Sequence, residues 1–322
     1  MSRRALGFLL VAGLLAATAR PAAAQEHPNT ARGFNAGFGG GDVDSVNPFN
    51  GNLVIHIPIG QAYKVNGHLG YQLSLIYNNN VWDYQKRDDM TTGQTYTQAI
   101  PNRTANAGLG WTVSLGRLNP PTSLDVDTSR PAYLSPDGAL HTFYPTLHEG
   151  DATVSGVQFT RDGTYLRYKA ATSEIEFPDG TVHHFNAAGF PDQIHDRFTN
   201  QGAFTNQIGI DYTNPSLWAI SDGFRIQKVW FRNVLGFQVV DRIELTAFGT
   251  GIPATWKFRY NTDDAIPYQV IGCKNTDPLN PQTVPLLTQV LLPDGSTYKM
   301  AAADYGTQFN PPCDAGMLKG MT

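Results

Sequence analysis

The stretch Ser135-Pro136-Asp137-Gly138-Ala139-Leu140-His141-Thr142-Phe143-Tyr144 reads as a tight turn followed by a strand. Asp-Gly supplies the positive φ angles that short hairpin turns need, and the residues after it alternate in the manner of a half-buried strand. The phrase returns at Asp162-Gly163, Asp179-Gly180, Asp222-Gly223 and Asp294-Gly295, each time ahead of further β-formers. Pro136, Pro178 and Pro293 precede three of the five aspartates, which presets the turn and stops a helix from running through it. The chain is therefore repeatedly folded back on itself.

Outward from these turns the text is strand after strand. Leu53 to Ile57 and Tyr71 to Tyr77 alternate with period two, and so do Ile208 to Tyr212, Val239 to Leu245 and Thr255 to Tyr260. No window shows a sustained 3.6-residue period, so helix should be scarce. Unequal spacing between the Asp-Gly phrases argues against a solenoid or propeller of equal repeats. The expected fold class is all-β: a curled antiparallel sheet of consecutive hairpins, with little helix. The polar run from Asp83 to Asn106 has few apolar anchors and is expected to be a long surface loop.

The ends and the composition bound location and partners. Arg3 and Arg4, the apolar run Leu6 to Ala17 and the small residues Ala22-Ala23-Ala24 form an export signal over residues 1–24. The apolar run is too short to span a bilayer, so no transmembrane anchor is expected. The polar, Gly-rich residues 25–45 read as a flexible leader, and order should begin near Val46, in one β domain over 46–322. The destination is the periplasm, the cell surface or the medium. A net charge of −4 offers no basic surface for nucleic acid. In an oxidising compartment Cys273 and Cys313 can close a loop of ~40 residues, which would restrict the unfolded chain by roughly 4 kcal/mol; two separately buried thiols are the alternative.

Residues that could carry chemistry each have a plainer explanation. Asp137, Asp162, Asp179, Asp222 and Asp294 could supply the acid pair of a glycoside hydrolase, but an aspartate before glycine is already accounted for by its bond to the turn backbone. His183 and His184 adjoin on a strand and point to opposite faces, and with His141 and His195 they show no metal-ligand spacing. Asp42 with Asp44, and Asp125 with Asp127, lack the rest of a calcium loop. The glycines at 37, 39, 40 and 41 lack the strand and helix of a phosphate cradle. Trp82, Tyr84, Trp218 and Trp230 could stack on sugars if exposed, or pack the sheet if not. No catalytic residue, cofactor or metal is expected.

Taken in order, Val46-Asn47-Pro48-Phe49-Asn50-Gly51-Asn52-Leu53, Leu75-Ile76-Tyr77-Asn78, Asn106-Ala107-Gly108-Leu109-Gly110-Trp111 and the Pro-Asp-Gly phrases resemble the N-terminal region of bacterial RHS-repeat (YD-repeat) proteins. Ile194 to Asn200 is similar to that family's phrase for a turn after a short strand. The resemblance implies a β-rich shell, whose strand-turn sheet spirals around a polypeptide cargo. Two departures stand out: the tyrosine-aspartate repeat array is absent, and so is a terminal effector domain. Gly316 to Thr322 reads as a strand barely begun, and the chain is expected to be a truncated portion of a longer protein.

The function expected on this basis is a non-enzymatic, exported structural segment of such a shell. Its partners would be the remainder of its own polypeptide and the cargo, with self-association through an open sheet edge at the C-terminal side. The alternative from another class is a secreted carbohydrate-binding or adhesive module; a β-fold glycoside hydrolase stands last.

Overall fold

The computed structural model describes residues 44–46, 52–66, 69–121, 129–200, 203–204, 206–247, 251–266, 268–276 and 281–322. The export signal, the leader up to residue 43, Asn47 to Gly51, and Asp125 with Asp127 lie outside them. The described chain is almost wholly antiparallel β-structure; the one helical turn among these residues is a 3-10 turn at Ala302–Asp304.

Strands β1 (Asp44–Val46), β2 (Leu53–Asn66) and β3 (Leu69–Asn78) are followed by a hairpin of β4 (Trp82–Asp88) and β5 (Thr95–Pro101), then by β6 (Trp111–Val113). Of these, β1, β2, β3 and β6 form a four-stranded sheet in that order. β1 pairs along β2 from Asp44 opposite Ile55 to Val46 opposite Leu53.

A second sheet of 15 strands takes nearly all the rest. It opens with β7 (Arg117–Leu118), β8 (Ala132–Leu134), β9 (Leu140–Tyr144), β10 (Val157–Thr160), β11 (Arg167–Lys169), β12 (Glu174–Glu176), β13 (Val182–Phe185) and β14 (Pro191–His195). It passes over a small hairpin, β15 (Thr199–Asn200) with β16 (Ala203–Phe204). It resumes as β17 (Gln207–Asp211), β18 (Leu217–Ser221), β19 (Ile226–Val234), β20 (Phe237–Leu245) and β21 (Ala254–Tyr260). A second two-stranded excursion, β22 (Gln269–Val270) with β23 (Gln282–Thr283), precedes the closing strands β24 (Leu287–Leu291) and β25 (Thr297–Lys299). Strand order in space follows strand order in the chain throughout, and each Asp-Gly phrase sits in the turn between two paired neighbours.

The sheet curls. Tyr133 on β8 and Phe185 on β13 are five strand positions apart, which a flat sheet would hold about 24 Å from each other. Their rings instead meet edge-to-face at 5.8 Å. The Leu118 amide on β7 likewise donates to Gly189 O, in the turn between β13 and β14, at 2.8 Å. Strands β7 to β13 therefore form a roll around their own small core of Leu118, Tyr133, Phe143, Leu166, Tyr168, Ile175 and Phe185.

The larger core lies between the four-stranded sheet and strands β14 to β24. Asn106 to Trp111 joins the two sheets. The Leu109 amide donates to Pro285 O and the Val240 amide to Asn106 O. Asn106 also closes the free edge of β6: its Nδ2 donates to Val113 O and its Oδ1 accepts from the Val113 amide, so one side chain replaces a missing strand. Glycine is obligatory here. Gly110 has φ +78°, and a methyl group would lie 2.6 Å from Tyr77 and 2.7 Å from Val81.

Residues 305–318 fold back over this first sheet and the root of the β4–β5 hairpin and satisfy the polar tips of their aromatics. Trp82 Nε1 donates to Ala315 O, Trp111 Nε1 to the Tyr305 hydroxyl, and the Leu318 amide to the Tyr77 hydroxyl. A disulfide between Cys273 and Cys313, with Cα atoms 5.9 Å apart, ties the same segment down.

Two expectations are corrected. The Asp83–Asn106 run is no long loop: β4 and β5 pair in register from Trp82 opposite Pro101 to Asp88 opposite Thr95. Its polarity belongs to the exposed tip, while Trp82, Tyr84 and Ala99 are buried at the root. At the C-terminal side of the sheet β25 has three residues, and Thr322 exchanges both backbone hydrogen bonds with Lys299. Gly316 to Thr322 forms no strand; within it Leu318 makes a single bridge to Tyr305.

Candidate functional site

The five turn aspartates are spent on their own turns. In each, Oδ1 accepts the amide two residues on: Ala139 and Thr164 at 3.1 Å, Thr181 at 2.8 Å, Phe224 at 3.0 Å and Ser296 at 2.9 Å. The glycine after each aspartate has φ between +85° and +88°. At Asp294 the Ser296 hydroxyl and amide hold the carboxyl below its usual range. Asn186 repeats the arrangement without the Asp-Gly signature, accepting from Ala188 ahead of Gly189.

One cluster has the connectivity of a hydrolytic triad, and the sequence did not announce it. His141 Nδ1 lies 2.6 Å from Asp162 Oδ2, and its Nε2 lies 3.1 Å from Ser135 Oγ. Burial pushes the Asp162 carboxyl up, but bonds from His141 and Thr164 outweigh it and leave the group below its usual range. The serine hydroxyl is also in hydrogen-bond contact with Asp137 Oδ1, and lies 3.1 Å from Ala139 O. The adjoining cavity is about 40 Å³, room for a water rather than for an ester or amide substrate. The geometry suits a clamp between the first two Asp-Gly turns. A reactive serine would need an open site beside it.

The other histidines disperse. His184 Nδ1 pairs with Asp192 at 2.5 Å, and His195 Nδ1 meets Asp196 O at 2.9 Å. His183 packs on Phe177 with ring centroids 4.5 Å apart; its Nδ1 is enclosed without a hydrogen-bond partner, and burial pushes the ring down to about 4. Among the described residues no three His, Cys, Asp or Glu side chains converge as a metal site.

A groove of about 590 Å³ lies where the roll meets the larger body. It is lined by residues 101–106, by Arg117 on β7, by Asn186, Ala188 and Phe190 of the β13–β14 turn, by the segment from Tyr212 into β18 at Trp218, and by Phe231 of β19 with Gly236 to Gln238 at the start of β20. A row of half-buried rings runs along it. Phe190 and Tyr212 are 5.5 Å apart, Tyr212 and Trp218 5.8 Å, and Trp218 and Phe231 4.8 Å. The Arg117 guanidinium lies 4.5 Å over the Phe190 ring. Among the described residues no carboxylate pairs with Arg117, and its buried Nε has no hydrogen-bond partner. Burial, with Arg103 adding to it, holds this guanidinium below its ordinary value.

Of the aromatics singled out from sequence, only Trp218 lines this groove. Trp82 and Tyr84 are buried at the hairpin root, and Trp230 is covered by Arg242 at 4.5 Å. Sequence reading missed Arg117, Phe190 and Tyr212 as site residues, because nothing local shows that β7 and the β13–β14 and β17–β18 turns converge. The chain matches no protein-family model and no curated protein.

Proposed function

We propose that this chain is a non-enzymatic, exported structural segment of an RHS-type β-shell, acting at the start of the sheet and closing one end of it. The observation that carries this reading is the 15-stranded sheet laid down in chain order with Asp-Gly turns between neighbours, an arrangement that can grow indefinitely by adding hairpins. The two cores are filled with side chains, so any hollow that holds cargo would be made by further strands and not by these. The geometry at Thr322 fits such growth. Its reciprocal bonds with Lys299 would lay any later residues along the outer edge of β25.

Reading the genomic sequence past the codon for Thr322 tests this directly. An open frame that continues into tyrosine-aspartate repeats is the expected result. A stop codon at that point would sink the shell reading and leave a free-standing exported β-protein.

A further inference from the structure

We propose that one rim of the larger body docks on an anionic lipid surface, with Phe198, Phe224 and Ile252 entering the interface and Arg197 and Lys64 meeting the headgroups. The proposal goes beyond the shell reading and does not depend on it.

The topology brings these residues together. In a sheet whose antiparallel strands follow one another in chain order, successive connections alternate between two rims. All five Asp-Gly turns fall on the same rim, since they join β8 to β9, β10 to β11, β12 to β13, β18 to β19 and β24 to β25. The two remaining connections on that rim, β14 to β17 and β20 to β21, carry Phe198 and Ile252. Three tips therefore stand in a row along β14 to β21, each two strands or about 10 Å from the next. Phe198, Phe224 and Ile252 are 54%, 90% and 70% exposed. On the opposite rim of the same strands, the one large apolar side chain left exposed among the described residues is Leu235, at 43%.

The central tip is built to hold an apolar side chain in the open. Asp222 Oδ1 accepts the amides of Phe224 and Arg225 at 3.0 and 2.8 Å, and its Oδ2 accepts Arg225 Nε at 2.8 Å. Arg225 also donates to Lys64 O at 2.8 Å and lies 5.1 Å over the Tyr63 ring. These polar groups are bonded within the protein, so moving the tip out of water leaves them satisfied. Cations flank the row. Arg197 is exposed with its guanidinium 5.4 Å over Phe198, and Lys64 is exposed beside the Phe224 turn. Long cationic side chains next to apolar tips keep their charge at headgroup level while the tips go deeper. Of the carboxylates on neighbouring turns, Asp179 and Asp294 accept amides of their own turns.

A lipid surface suits this row better than a protein groove. The tips are separate rather than one continuous apolar patch, and turns offer no strand edge to pair with. A protein partner would need a matching pocket for each tip, whereas a lipid interface takes separate side chains without shape complementarity.

The test is sedimentation of the full, disulfide-intact chain with vesicles of phosphatidylglycerol and phosphatidylcholine in equal parts, and with phosphatidylcholine alone. Co-sedimentation with the anionic vesicles is expected, weaker on phosphatidylcholine and reduced by salt. Phe224→Ser with Ile252→Ser should lower the partition coefficient by about tenfold or more. Arg197→Gln should lower it on the anionic vesicles only, and Leu235→Ser, on the opposite rim, should change nothing. All variants keep the apolar run Leu6 to Ala17, so any affinity of that run for lipid is common to them. Phe224→Trp should add fluorescence that brominated acyl chains quench, which reads entry at the rim itself. The substituted side chains are exposed, and near-UV circular dichroism checks that each variant is folded. No sedimentation with either vesicle, undiminished binding of the folded double variant, no added quenching in Phe224→Trp, or an equal loss in Leu235→Ser would overturn the proposal. Self-association that the double variant abolishes, without vesicle binding, would overturn it in favour of a second copy on this rim. None of these outcomes bears on the genomic sequence beyond the codon for Thr322, so the two readings fail separately.

Discussion

The roll and the larger body are made from the same kind of strand but held together differently. In the roll no strand exceeds the five residues of β9, and its polar links are between near neighbours: Arg167 and Lys169 with Glu176, and His141 with Asp162. The body has strands of 14, 10, 9 and 9 residues in β2, β3, β19 and β20. Its decisive bonds join distant parts of the chain, such as Leu318 to Tyr77 at a separation of 241 residues. One region is thus assembled from local turn chemistry and the other from long-range packing. The two should therefore respond to different perturbations.

The strongest way to separate them is Trp111→Ala. The indole is fully buried, stacks near Tyr77 at 5.1 Å and donates to Tyr305. Truncation removes that packing and leaves a cavity between the sheets, at a cost of about 5 kcal/mol. Hydrogen exchange should show amides of β2, β3 and β6 losing protection while those of β9 to β13 keep theirs. Equal loss in both regions would mean that the roll has no stability of its own.

Next in size is the disulfide. It closes a separation of 40 residues, so removing it with the Cys273→Ser, Cys313→Ser pair should cost about 4 kcal/mol, mostly by freeing the unfolded chain. Urea unfolding measures this. An unchanged midpoint would show that the packing of residues 305–318 suffices without the covalent tie.

The same contrast explains what was legible in the sequence. Asp-Gly followed by alternating β-formers is a complete local instruction, so the turns, the strand-by-strand sheet and its all-β class could be read directly. The hairpin at Trp82 to Pro101 could not. Its strands carry Gln85, Lys86, Arg87 and Asp88 on exposed positions, and only Trp82, Tyr84 and Ala99 reveal the buried side. Asn106 was visible as part of a motif, but its use as a surrogate strand edge depends on where β6 ends. The groove was least legible of all. Arg117, Phe190 and Trp218 become neighbours only after the sheet has curled.

Acidification should discriminate in the other direction and loosen the roll first. Burial pushes His183 down to about 4, with nearby Asp179 opposing this and His195 adding to it. The unfolded ring titrates near 6.5, so between that value and about 4 the unfolded state binds a proton that the folded state refuses. Stability is therefore full above about pH 6.5 and falls as pH drops to 4, by about 2 kcal/mol, allowing for a ring that is partly exposed. Asp162, held below its usual range, adds a loss at lower pH, as its folded carboxyl takes up a proton. Exchange rates in β12 and β13 measured from pH 7 to 4 should rise ahead of those in β2 and β3. His183→Phe should remove the upper part of that slope, and a slope that survives would assign it elsewhere.

The smallest effect belongs to a turn glycine, and it isolates backbone conformation from packing. Gly163 has φ +88°, and a methyl group added there would meet nothing within 4 Å. Gly163→Ala therefore costs only the strain of a left-handed residue, about 1 kcal/mol, partly offset by a less flexible unfolded chain. Gly110 has a similar φ of +78° but faces Tyr77 and Val81 across the sheet junction, so strain and collision would add there. If the Gly163 variant melted as far below the parent as a core variant, the roll would depend on its turns more than its small core suggests. A shift of only a few degrees would place the Asp162-Gly163 phrase as a local guide to the hairpin, with the clamp from His141 to Asp162 still closed over it.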